Sequence, residues 1–150
     1  MNIPQRELRL MREQTLKELS QLYFLKKEIA DDEKRLKKLN EEKPVPGQNL
    51  TGMPGGGNSQ NYMDKYLEEI EDLEAIISAK RIQCIHERNR IERFIADIPD
   101  SRTRLIFTYR FVDCLSWDVC AAKMGEGYNT GKNLSNICYR YIDKINKSKS

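Results

Sequence analysis

Histidine is almost missing from this 150-residue chain: His86 is the only one. It lies two residues from Cys84 in a stretch patterned as helix, where the two side chains diverge. His-assisted nucleophilic catalysis and a His-based metal site therefore lack their materials. The four cysteines, Cys84, Cys114, Cys120 and Cys138, include no C-x-x-C pair. The spacing predicts reduced, buried thiols acting as small apolar side chains, not a zinc site. No run approaches the ~20 consecutive apolar residues of a membrane span. The N-terminus, MNIPQRELRLMREQ, is charged almost from its start and has no apolar h-region. A cytoplasmic location with no membrane partner is expected. The Gly-rich 52–57 segment lacks the Lys-Ser/Thr that completes a phosphate-cradling loop, and no strand pattern precedes it. No cofactor is implied, and catalysis is not expected. Acidic pairs such as Asp31-Asp32 and Glu68-Glu69 are expected on solvated helix surfaces.

Charge is abundant, at 33% of residues, and mean hydropathy is −0.73. Such a chain is too polar for a large core, yet too regular for disorder. The net charge of +3 is unevenly spread: residues 101–150 hold nine Lys/Arg against four acids, while residues 1–100 are net acidic. A basic C-terminal third points to a polyanionic partner.

Proline and glycine set the boundaries. Eight of them crowd into 43–60, whereas residues 5–42 contain neither. Leu8, Leu22, Ile29 and Leu36 recur at seven-residue spacing, interrupted by Thr15, and Met11, Leu19, Leu25 and Leu39 widen the stripe. In 61–98 the pattern is stricter: Met63, Ile70, Ile77, Cys84, Ile91 and Ile98, with Tyr66, Leu73 and Phe94 as a second seam that Lys80 and Glu87 interrupt. Both segments read as amphipathic helices that must pair to bury their stripes. An antiparallel, coiled-coil-like hairpin across the linker is the simplest arrangement, and parallel self-association is its competitor. Residues 1–98 thus form a helical stem, with a linker at 43–60.

Pro99 ends the second helix, and residues 99–150 read as a C-terminal three-helix unit. Asp100 or Ser101 caps a helix over 102–112 with Leu105, Ile106, Tyr109 and Phe111 or Val112 inward. Ser116 caps a second over 117–124, stopped by Gly125. Asn129-Thr130 opens the last, to about Ile145, with Leu134, Ile137, Cys138, Tyr141 and Ile145 facing the core. The fold class is all-α, the last two helices forming a helix-turn-helix. The other face of the final helix carries Thr130, Lys132, Asn133, Ser135, Asn136, Tyr139, Arg140, Asp143 and Lys144. Its amides, hydroxyls and guanidinium are the groups that hydrogen-bond base edges and phosphates in double-stranded DNA. Lys147, Lys149, Arg102 and Arg104 suit phosphate contacts.

The run IADIPDSRTRLIFTYRFVDCLSWDVCAAKMG resembles the region-four helix-turn-helix of bacterial sigma factors. It is more closely similar to the ArpU/RinA-type regulators of Firmicutes phages and mobile elements. The matching residues are Ile98, Asp100, Arg104, Leu105-Ile106, Tyr109-Arg110-Phe111, Leu115-Ser116-Trp117 and Ala121 to Gly125. The upstream LTGMPGGGNSQNYMDKYLEEIEDLE is like that family's Gly-Met-Pro linker followed by a long helix. The resemblance implies a transcriptional regulator in a bacterial host cell, with Lys132 to Arg140 facing DNA. The stem would then serve for homodimerisation or higher assembly, or for contact with RNA polymerase. The turn from Gly125 to Gly131 is longer than the usual sigma-like one, and Gly131 weakens the first helical turn. Two other classes fit less fully. One is a non-enzymatic interaction module that binds or inhibits a host complex. The other is a small-terminase-like packaging subunit, in which the DNA-binding unit is expected before the coil.

Overall fold

The computed structural model describes residues 2–44, 57–125, 127 and 129–149, and among them every regular element is helical. The elements are α1 (Gln5–Leu19), α2 (Gln21–Glu42), α3 (Gly57–Ala96), α4 (Ser101–Phe107), a π-helical turn (Thr108–Val112), α5 (Trp117–Met124) and α6 (Gly131–Ser148). None is long and apolar enough to cross a membrane. Most of the 43–60 linker lies outside the described residues, but its last four belong to α3, which starts at Gly57 once the prolines are past.

The gap-free segment 5–42 is not one straight helix. It is interrupted at Ser20, whose hydroxyl donates to the Leu16 carbonyl at 2.7 Å. A serine that bonds back to the carbonyl four residues earlier bends a helix without ending it. Ser20 stays in the right-handed region, and its own amide still donates to Leu16 O at 3.0 Å.

Two compact units result: Met1–Phe24 with Cys84–Ser150, and Leu25–Gln83. The cut falls elsewhere than the 98/99 boundary read from Pro99, because α1 packs on α6. In the first unit, Leu19, Leu22, Ile91, Ile98, Ile106, Phe107, Leu134, Cys138 and Ile142 form a core almost sealed from solvent. Phe107 is its aromatic centre, with ring centroids of Phe94, Phe111 and Tyr141 at 5.8, 5.4 and 5.7 Å. Such rings bury large apolar areas and prefer these tilted and edge-on arrangements.

The helix expected over 102–112 changes character midway. Asp100 caps α4, accepting from the Thr103 amide at 3.0 Å and its hydroxyl at 2.7 Å. These bonds hold the Asp100 carboxyl below the usual range. From Thr108 the ladder widens, with the Asp113 amide donating to Thr108 O at 2.9 Å. The wider turn brings both Phe111 and Val112 inward, where an unbroken α-helix admits one or the other. Leu105, expected inward, is 41% exposed, whereas Phe107 is sealed.

In the second unit Lys80, a polar interruption of the second seam, finds an acidic partner in Asp32. Asp32, expected on a solvated surface, is 7% exposed. Its carboxylate accepts from Lys80 Nζ at 2.6 Å, and Glu28 lies 3.3 Å from the same ammonium. Tyr66 donates to the Leu39 carbonyl at 2.6 Å, so contacts step backward along α2 as they step forward along α3. Removing one partner of such a pair strands the other. Lys80→Ala is therefore expected to lower the melting temperature more than Asp32→Leu combined with Lys80→Leu. The bond to Asp32 raises the Lys80 ammonium above its ordinary 10.5. Stabilisation by a raised group is complete below the unfolded value and is lost as pH climbs through the folded one. Thermal melts should show the margin of wild type over Lys80→Met persisting to about pH 10 and vanishing in stronger base.

Candidate nucleic-acid interface

The geometry of α6 is set at its first turn. The Thr130 hydroxyl accepts from the Asn133 amide at 3.1 Å, capping the helix. The preceding α5 begins with the same device, Ser116 accepting from the Val119 amide at 3.2 Å. It ends on Gly125, whose φ of +76° is left-handed and favours glycine. Between these ends the chain passes a groove lined by Asp118, Ala121, Ala122, Gly125 and Gly127 with Asn129, Thr130 and Gly131.

Gly131, read from sequence as a weak spot in the helix, is where α6 touches α5. A Cβ there would stand 2.6 Å from Asp118 Oδ1, 3.1 Å from Trp117 Cβ and 3.2 Å from the Asp118 amide nitrogen. The glycine costs helix propensity and permits an approach that no side chain allows.

α6 divides its circumference sharply. Leu134, Cys138 and Ile142 are fully buried, and Gly131 and Asn146 nearly so. This stripe is turned from the expected one: Ile137, Tyr141 and Ile145 are only half-buried. The rotation follows from α1, which covers the side bearing Asn146. Asn146 Nδ2 donates to Thr15 Oγ1 at 3.4 Å, and Arg12 Nη1 donates to Asp143 Oδ2 at 3.0 Å.

On the far side Lys132, Asn133, Asn136, Arg140, Lys144 and Lys147 are exposed. At ~100° per residue they fall within about 120° of the circumference. Arg140 commits one N–H to Asn136 O at 3.3 Å. Ser135 is half-buried and donates to Lys132 O at 2.9 Å. Tyr139 lies at the margin of the face, half-buried, its ring edge-on to Trp117 at 6.4 Å and 5.2 Å from the Arg12 guanidinium. Asp143 is likewise half-buried.

The arginines of α4 serve the fold more than the face. Arg104 donates to Ile98 O at 2.6 Å and Pro99 O at 3.1 Å, satisfying carbonyls just past the end of α3. Arg102 donates to Asn129 Oδ1 at 2.7 Å, tying α4 to the connection before α6. Arg110 stacks on Trp117 at 4.7 Å and donates to Leu115 O at 3.0 Å.

Cys120 and Cys138 are buried in the core, and burial pushes both thiols up, away from the thiolate that nucleophilic chemistry needs. None of the four cysteines forms a disulfide. Among the described residues, no group of three or more His, Cys, Asp or Glu side chains is placed to hold a metal ion.

No motif or spacing in the sequence singles out Arg12. The signal for its helix was Thr15, the polar break in the first stripe, which is where Asn146 docks.

Comparison with family models, curated proteins and solved structures finds no match for the chain.

The contact at Gly131 predicts a steep, local penalty. Gly131→Ala should destabilise the protein by about 1–3 kcal/mol, as overpacking of a tight contact does. Gly127, with nothing within 4 Å of an added Cβ, should tolerate alanine at little cost. Urea denaturation of the two variants checks the difference.

Proposed function

We propose that the chain is a DNA-binding transcriptional regulator, in which α5, the 125–130 connection and α6 act as a helix-turn-helix and α6 enters the major groove. The observation that carries this is the exposed face of α6: Lys132, Arg140, Lys144 and Lys147 with Asn133 and Asn136, the one acid of that helix, Asp143, being ion-paired with Arg12. Lys and Arg neutralise phosphates, while amides are the groups that read adenine edges. Lys132, Asn133 and Asn136 lie toward the N-terminal end of α6, the end that recognition helices bring to bases. Thr130 contributes chiefly by capping, and Tyr139 by buttressing the helix. The stem, read over residues 1–98 as a helical hairpin, is assigned through its 25–83 portion to self-association or to contact with RNA polymerase. A single recognition helix covers too few base pairs to bind tightly alone. The resemblance of 95–125 to phage and mobile-element regulators supports genes of that kind as targets. No catalytic step is assigned.

A second class, a protein-docking module, draws on Tyr62 and Ile76, apolar side chains of the second unit that are 60% and 48% exposed. It predicts no dependence on the α6 face.

Titration of the full chain against its own upstream DNA and a random duplex, at two salt concentrations, separates the two. Asn133→Ala and Asn136→Ala should erode preference for the upstream sequence, at ~1–3 kcal/mol for each good base contact. Arg140→Ala and Lys144→Ala should weaken binding to both duplexes alike and lower the salt slope by about one each. If all four variants bind as wild type does, the regulator assignment is wrong.

A further inference from the structure

Asp143 is the only acidic residue in α6. It sits against the basic face, in a surface depression lined by Arg140, Asp143, Lys144, Lys147 and Ser148. A bare carboxylate in that position repels phosphates within a Debye length of about 8–10 Å. It is not bare. Arg12 of α1, 131 residues away in sequence, donates to its Oδ2 at 3.0 Å. The two side chains are 28% and 23% exposed. The same guanidinium lies 5.2 Å from the ring of Tyr139, one turn before Asp143. Asp143 Oδ1 is buried with no hydrogen-bond partner among the described residues. Three residues on along both helices, Thr15 meets Asn146 and holds α1 in register.

We propose that Arg12 is a positioning residue of the polyanion-binding face. By neutralising Asp143 it makes that face uniformly positive, and it couples DNA binding to the docking of α1. The inference rests on the DNA-binding assignment of α6. In its terms, the carboxylate offsets one cation of the four on the face unless Arg12 is present. Losing Arg12 therefore removes the equivalent of about one phosphate contact. The alternative role, in which Arg12 itself grips a phosphate, predicts no rescue when Asp143 is neutralised.

The test is a fluorescence-anisotropy titration of the full chain against a random-sequence duplex between 50 and 200 mM salt, with melting curves for every variant. Arg12→Gln keeps much of the side-chain bulk and removes the charge. It should weaken binding about three- to tenfold at low salt and lower the salt slope by about one. Asp143→Asn should bind at least as tightly as wild type. The double variant should recover wild-type affinity and slope, which a merely structural role for Arg12 does not produce. A double variant as weak as Arg12→Gln overturns the proposal. So does an Arg12→Gln protein that binds normally while Lys144→Ala is impaired, and that result leaves the DNA assignment standing. If Lys144→Ala and Arg140→Ala have no effect either, the DNA assignment itself fails. Should Arg12→Gln not fold, exchange of the charges in Arg12→Asp with Asp143→Arg supplies the same comparison. Restored binding supports the pair, and a folded but weak protein overturns it.

Discussion

Leu134, Cys138 and Ile142 lose all contact with solvent along one side of α6, and helices α1, α4 and α5 supply the surface that covers them. An 18-residue helix with a single apolar stripe is marginal in water by itself. Once that stripe is enclosed, the orientation of every other α6 side chain follows, since a helix cannot turn its polar face without turning its buried one. The exposed set from Lys132 to Lys147 is in this sense a by-product of core packing. The enclosure requires close approach at both ends. At the N-terminal end Gly131 lets α5 come within van der Waals contact. Toward the C-terminal end Arg12 and Thr15 of α1 meet Asp143 and Asn146, polar positions that an apolar partner would leave unsatisfied.

The same logic runs through the second unit. Lys80 breaks its seam, and Asp32 is a buried acid, when each helix is considered separately. Facing each other, they satisfy the hydrogen bonding that burial demands and disfavour registers that would separate them. Thr15 with Asn146 is the uncharged counterpart. Polar residues on buried seams carry little net stability, but mismatching them is costly, so they favour one alignment among several that the apolar residues alone would accept.

Much of the local structure was legible because it depends on neighbours in the chain. Asp100, Ser116 and Thr130 cap the helices that their side-chain chemistry favours, and Gly125 takes the left-handed conformation expected of it. The seven-residue spacing of Ile70, Ile77, Ile91 and Ile98 marked side chains that are indeed buried. The bend at Ser20 and the π-turn at Thr108–Val112 were not legible. Whether a mid-helix serine turns its hydroxyl to the carbonyl four residues back or to solvent is not written in its neighbours, and a π-turn is stabilised by what it lets pack. Phe111 and Val112 occupy the core together only because the core has room for both.

Of the α6 residues expected to face solvent, Lys132, Asn133, Asn136, Arg140 and Lys144 do so; Ser135 is half-buried, as are Tyr139 and Asp143 at the margin. Their partner, Arg12, lies at the opposite end of the chain, and no periodicity links residue 12 to residue 143. By itself the sequence determined which segments are helical, where most of them begin and end, and which are basic, because propensity, capping and charge act over a few residues. Only the tertiary structure decided that α1 belongs with α6, how far α6 is rotated and which charges are neutralised. Those outcomes depend on side chains brought together across more than a hundred residues, where packing and desolvation, not local preference, select the partner.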